Sequence, residues 1–276
     1  MWLLLSATAL ITPAVAGDVA CANPQTLTMG TGSTNGCTSV DSNFVNFNVS
    51  PATGAGNGRW PDASAGMSSN IMFTPAGTSL LSLDFTTNGQ TSSSSVCHPG
   101  SWCVAGSALT ASQSFSYEAQ TSGGYLGLSL TDGTVQGNVL AAGDAITTEE
   151  QFCLGSASFN CSSGSSNYGF VEITQTSKSG GGYKTLFTAC TPGASGCSVT
   201  HPATASITFA STQTQIGIQN TVTISTVPGE TTTVYIDSFN DNYMNAPEPS
   251  TFALFGTALA GLGLLGYRRH RGSLAS

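Results

Sequence analysis

Apolar and polar residues alternate with period two through most of the chain, and no stretch of ten or more residues shows a clean 3.6-residue period. The pattern predicts strands. Val45, Phe47 and Val49 face one way in one segment, and Leu81, Leu83 and Phe85 do so after a Pro75-Ala-Gly77 turn. Phe115 and Tyr117 alternate in a third segment and Leu126, Leu128 and Leu130 in a fourth, with Gly123-Gly124 read as the turn of a hairpin between them. Further strands are expected at 145–154, 170–176, 185–190, 206–210, 215–219, 221–227 and 232–239. Segments 57–69, 91–110 and 177–182 are Gly- and Ser-rich and read as mobile loops. So many short strands, without an internal repeat, predict an all-β fold: an antiparallel two-sheet sandwich of jelly-roll type.

Both ends depart from this pattern. Leu3 to Ile11 is apolar and Ala14-Val15-Ala16 is a small-x-small site, which predicts a secretory signal peptide over 1–16 and a β-sandwich body over 17–245. Near the other end, Phe252 to Tyr267 contains no charged residue. It predicts a single transmembrane helix at about 251–267, at the lower length limit for a span. Arg268, Arg269 and Arg271 follow it as a membrane stop, so the positive-inside rule keeps the C-terminus cytoplasmic and puts the body on the far side. Pro247-Glu248-Pro249 stands before the span as a rigid, extended tripeptide.

This three-part order over 246–271 resembles the C-terminal sorting signal of PEP-CTERM proteins. The resemblance implies an exosortase-type membrane enzyme as partner, an inner-membrane intermediate, and delivery to the cell surface or an extracellular polysaccharide matrix. More loosely, Asn35 to Phe47, Tyr125 to Asp132 and Val234 to Asp237 look like a group of uncharacterised PEP-CTERM surface proteins. That likeness implies no catalytic residue.

Charge and cysteine content narrow the body's chemistry. Its cations are Arg59, Lys178 and Lys184, against thirteen of the chain's fourteen carboxylates, a net charge of −10. Phosphate binding needs a basic face that three cations cannot supply, so nucleic acid is excluded as a partner. The surface is instead polar by hydroxyl and amide, which suits a polysaccharide-rich setting. Eight cysteines in an exported chain imply disulfides, and proximity pairs them as Cys21–Cys37, Cys97–Cys103, Cys153–Cys161 and Cys190–Cys197. His98 beside Cys97, with Cys103 near, superficially resembles zinc-ligand spacing; without a Cys-x-x-Cys motif, no metal or other cofactor is expected.

Catalytic candidates are few. His98 and His201 each precede or adjoin a proline in loop-like sequence, and no Gly-x-Ser-x-Gly elbow is present. A glycosidase would draw its two carboxylates from Glu118, Glu149, Glu150 and Glu172. Glu118 and Glu172 are expected to face solvent, while Glu149 and Glu150, being adjacent, point to opposite faces. Asp237-Ser-Phe-Asn-Asp-Asn242 reads as a capping or Asx turn after the last strand rather than a calcium loop. Trp60 and Trp102 lie in Gly/Pro-rich sequence, either as exposed sugar platforms or as plugs of the core. The expectation is a non-catalytic cell-surface or matrix protein; the alternative is a polysaccharide-binding module or a glycosidase on the same scaffold.

Overall fold

The computed structural model describes residues 42–50, 52–54, 102–132, 141–229, 232–236 and 238–246, a set of further strands before residue 88 and at 136–137, and the single residues Cys97 and Thr257. In chain order the strands are β1 (Val19–Ala20), β2 (Gln25–Thr28), β3 (Cys37–Thr38), β4 (Ser42–Val49), β5 (Thr53–Gly54), β6 (Ser68–Ala76), β7 (Leu80–Thr87), β8 (Trp102–Gly106) and β9 (Thr110–Asp132). They continue as β10 (Gln136–Gly137), β11 (Ala145–Leu154), β12 (Tyr168–Ser177), β13 (Tyr183–Thr191), β14 (Ser198–Thr200), β15 (Ser206–Ser225), β16 (Thr232–Ile236) and β17 (Ser238–Asn245). The chain is all-β. Among the described strands pairing is antiparallel except for the two-residue contact between β1 and β3. The predicted signal peptide, Cys21 and with it the predicted Cys21–Cys37 bridge, Trp60, His98 and all of the sorting tail but Ala246 and Thr257 lie outside the described residues. Of the predicted membrane helix only Thr257 is described, in helical conformation; among the described residues no helix is long and apolar enough to cross a membrane.

Two long strands, β9 and β15, organise the rest. They pair from Thr110↔Ser225 to Ser129↔Ser206, with irregular register between Thr208 and Gln215. The expected hairpin at Gly123-Gly124 is therefore a bend within one strand. Gly124 adopts φ 87°, and β15 breaks its register opposite, so both strands turn together instead of reversing. Likewise the three segments expected between 206 and 227 are one strand, whereas 232–239 divides into β16 and the start of β17.

The bend folds one 14-stranded sheet over itself in a sandwich-like arrangement. The first half of β9 lies between β4 and β15, which leads on to β11, β12, β13 and β14; its second half pairs with β17, followed by β7, β6 and β2. Aromatic rings fill the space between: Phe115 of β9 lies 4.8 Å from Phe85 of β7, and Phe44 of β4 lies 5.6 Å from Tyr243 of β17, centroid to centroid. A small sheet, β10-β16-β8, closes one end. Its Trp102, in a segment expected to be loop, is fully buried, sits 5.4 Å from Phe239 and donates its indole N–H to Gln113 Oε1 at 3.1 Å. Trp102 thus plugs the core and is no sugar platform.

Parity also shifts in β4. Phe44 and Phe47 both face the core, because a bulge between Val45 and Asn48 inserts a residue against β9. Asn46 takes the extra position with φ 59°, a left-handed conformation that asparagine tolerates better than most residues. Segment 177–182, expected to be mobile, is a defined turn in which Lys178 N–H donates to Gly182 O at 3.0 Å and three consecutive glycines take positive φ. Three of the four proximity pairs of cysteines are disulfides: Cys97–Cys103, Cys153–Cys161 and Cys190–Cys197, with Cα separations of 5.5, 5.8 and 5.3 Å.

Candidate functional site

The carboxylates are the natural place to look for chemistry, and the fold separates them. In β11, strict alternation sends Ile146, Thr148, Glu150 and Phe152 into the core, all fully buried, and leaves Glu149 half-buried on the opposite face. Glu149 lies directly across from Glu172 of β12. Burial raises its carboxyl above the usual range, and the Glu172 charge adds to the rise. Tyr168, close by, is pushed up to about 12 by burial first and then by Glu149. Glu172 accepts a hydrogen bond from Thr174 Oγ1 at 3.3 Å.

Glu118 is not solvent-facing as expected. It points away from the core yet is only 2% exposed, accepting from the side-chain amides of Asn46 (2.9 Å), Gln120 and Gln215. The bulge in β4 aims Asn46 at it. Its cross-strand partner Gly217 lacks the Cβ that would overlap the Ser158 backbone at 2.2 Å, so the loop held by Cys153–Cys161 passes directly over this position.

Asp237 lies outside the described residues, and 238–242 is not a turn: it is the start of β17, where Phe239, Asp241 and Tyr243 face inward and are buried, while Asn240 and Asn242 face outward. Asn242 donates to Thr131 Oγ1 at 2.9 Å, so Asp241 and Asn242 belong to opposite faces and do not converge on a cation. Among the described residues no group of three His, Cys, Asp or Glu side chains is placed to hold a metal.

Asp241 instead meets Glu150 across the layers, an association that sequence reasoning missed. Tyr117 O–H donates to Asp241 Oδ2 at 2.6 Å and Asn220 Nδ2 donates to the same oxygen at 2.5 Å. Tyr243 O–H is 3.3 Å from Glu150 Oε1, and the two phenol oxygens are themselves within hydrogen-bond reach. Burial raises the Asp241 carboxyl to about 7, although the Tyr117 and Asn220 hydrogen bonds oppose the shift. Glu150 is raised well above the usual range by burial and then by the Asp241 charge. Both groups are fully buried, and neither lines the groove described below.

Access to solvent occurs elsewhere, in a cavity of about 490 Å³ where β12 and β13 face the second half of β9 and the start of β15. Hydroxyl and amide side chains line it: Ser129, Thr131, Gln175, Thr185, Thr204 and Ser206. Leu130, Ile173 and Phe187 supply its apolar surface. Backbone pairing fixes these walls, through Ile173↔Phe187 and Gln175↔Thr185 on one side and Leu130 N–H to Ala205 O at 2.9 Å on the other. Among the described residues no carboxylate, histidine or cation lines it. His201 is exposed in the preceding loop.

Comparison with known proteins adds one result for the tail and none for the body. No curated protein and no solved structure matches the chain. Residues 245–271 match the family model of the PEP-CTERM protein-sorting motif, which contains Pro247-Glu248-Pro249 and the Arg268, Arg269 and Arg271 cluster. The motif implies processing by exosortase, a membrane enzyme, and the three disulfides fit an extracytoplasmic location. The chain carries a PEP-CTERM protein-sorting motif and is thereby marked as an exosortase-targeted protein, exported through the membrane toward the cell surface.

Proposed function

We propose that the protein is a non-catalytic component of the cell surface or extracellular matrix, whose body holds uncharged polysaccharide in the groove between β12–β13 and β9–β15. The sorting motif at 245–271 carries the reading, since it directs the chain to the outside of the cell. The groove supports the finer part. Its hydroxyl and amide groups match the hydrogen-bonding valence of sugar hydroxyls, and Phe187 offers an apolar face for pyranose C–H groups. A glycosidase would instead need two carboxylates flanking the sugar at about 5–9.5 Å from each other, and none is among the described residues that line the groove.

The address is tested by replacing Pro247, Glu248 and Pro249 with alanine. An unprocessed precursor retained in the inner membrane is expected; unchanged mass and surface delivery would refute the sorting role. The groove is tested by challenging the full chain and its Phe187→Ala variant with the host's extracellular polysaccharide. Binding that weakens about tenfold or more in the variant, equivalent to losing one buried apolar contact, is expected. Release of reducing ends would establish an enzyme and overturn the non-catalytic reading.

A further inference from the structure

Asp241, Tyr117, Tyr243 and Glu150 form a chain of three oxygen–oxygen links: Asp241 to Tyr117, Tyr117 to Tyr243, and Tyr243 to Glu150. Each link needs one hydrogen, and the two phenols together carry two. With both carboxyls ionised one link would bring together two oxygens with no hydrogen between them, inside a fully buried site. We infer that Glu150 and Asp241 share one retained proton at neutral pH, and that this buried proton-binding site clasps the two layers of the body together.

The donor pattern places the proton. Asp241 Oδ2 accepts two hydrogen bonds, from Tyr117 and from Asn220, and is the anionic end. Glu150 has the single long contact to Tyr243 and is the acid end. Hydrogen bonds then run in one direction, from Glu150 O–H to Tyr243, from Tyr243 O–H to Tyr117, and from Tyr117 O–H to the Asp241 carboxylate. No bond is broken, and the site carries one negative charge.

Among the described residues no cation lies close enough to hold two charges. Phe44 and Phe47 of β4 and Phe85 of β7 pack on the phenols, and Leu83 of β7 and Leu130 of β9 flank Asp241. Val171 of β12 and Asn220 of β15 flank Glu150. Among the described residues Tyr125 is a further titratable neighbour, and its hydroxyl donates to Gln120 O at 3.0 Å. Lys178, Lys184 and His201 are exposed at the surface.

The sign of the pH dependence follows. Both carboxyls are raised in the folded chain, so it binds protons that the unfolded chain releases. Stability is full below the ordinary carboxylate range, falls as pH rises through about 7 for Asp241, and goes on falling while Glu150 keeps its proton. Each retained proton makes the unfolding constant rise about tenfold per pH unit.

The full chain, its Glu150→Gln variant and Asp241→Asn are compared. Glutamine retains a donor toward Tyr243 and cannot ionise. Expected are a protonated-carboxyl C=O band in the infrared difference spectrum of wild type minus Glu150→Gln at pH 7.5, and a denaturation midpoint that falls above pH 7 in wild type but is flat in that variant. Absence of the band, or equal slopes in the two proteins, would overturn the proposal. So would a wild-type midpoint raised by calcium with loss of its pH dependence, which would mean a cation between two ionised carboxylates. Should the variants fail to fold, wild type alone decides: unfolding at pH 8 releases about one proton per chain if the site is protonated and none if it is not.

Discussion

Reducing the three disulfides should unfold the body at room temperature, or leave it so weakly folded that little denaturant is needed. Each bridge closes a loop of six to eight residues along the sequence. On the chain-entropy model a loop of that size restricts the unfolded state by roughly 2–2.5 kcal/mol, so three of them amount to about 7 kcal/mol. That is comparable with the whole stability of a typical domain, about 5–15 kcal/mol. The bridges also hold particular contacts. Cys153–Cys161 keeps the loop against Gly217 and the Glu118 amide cluster, Cys190–Cys197 fastens the β13–β14 hairpin, and Cys97–Cys103 packs beneath Tyr235 of β16. The check is a urea titration followed by far-UV circular dichroism, with and without reductant, and with thiols counted. A midpoint that stays put while six or more thiols titrate would show that the β-structure stands without its bridges. The expected result also explains why export suits this chain: it folds fully only where thiols are oxidised.

How much of this was legible in the sequence depends on where the decisive contact lies. Within a strand, period two was sufficient: β11 spans the residues that its alternation predicts, and the same alternation puts Glu150 on one face with Ile146 and Phe152. Local signals misled where a tertiary partner overrode them. Gly123-Gly124 reads as a hairpin turn, yet β15 bends beside it and keeps the strand continuous. Asn-Asp-Asn at 240–242 reads as a turn because those residues favour turns, and only β7 and β9 on either side hold them extended. Glu118 reads as exposed because its face of the strand is polar; Asn46 and Gln215, far away in the chain, cover it. The Asp241–Tyr117 bond spans 124 residues, and the groove takes its walls from four strands. No local pattern encodes either one. The tail is the opposite case. Its meaning lies in the order of three short segments, so it was readable without a fold.

Truncation of Phe239 to alanine should be the most damaging single substitution in the described core, costing about 3–5 kcal/mol. Phe239 is 1% exposed and sits where three parts of the fold meet. Its ring lies 5.2 Å from Phe85 of β7, 5.9 Å from Phe115 of β9 and 5.4 Å from Trp102 of the small end sheet. Removing it opens a cavity among rings that are anchored independently. Phe115 is fixed in the centre of the sheet, and Trp102 by its bond to Gln113, so neither is free to move in and fill the space. The neighbouring Asp241 makes the loss worse, because a loosened β17 would admit water to the carboxylate chain two residues away. Phe239→Leu retains most of the volume and should cost far less, about 1–1.5 kcal/mol. Denaturant midpoints of the two variants, measured at one pH, decide the matter. Equal and small losses would mean that the layers close over the gap, and that the aromatic cluster is not what holds the end sheet to the body.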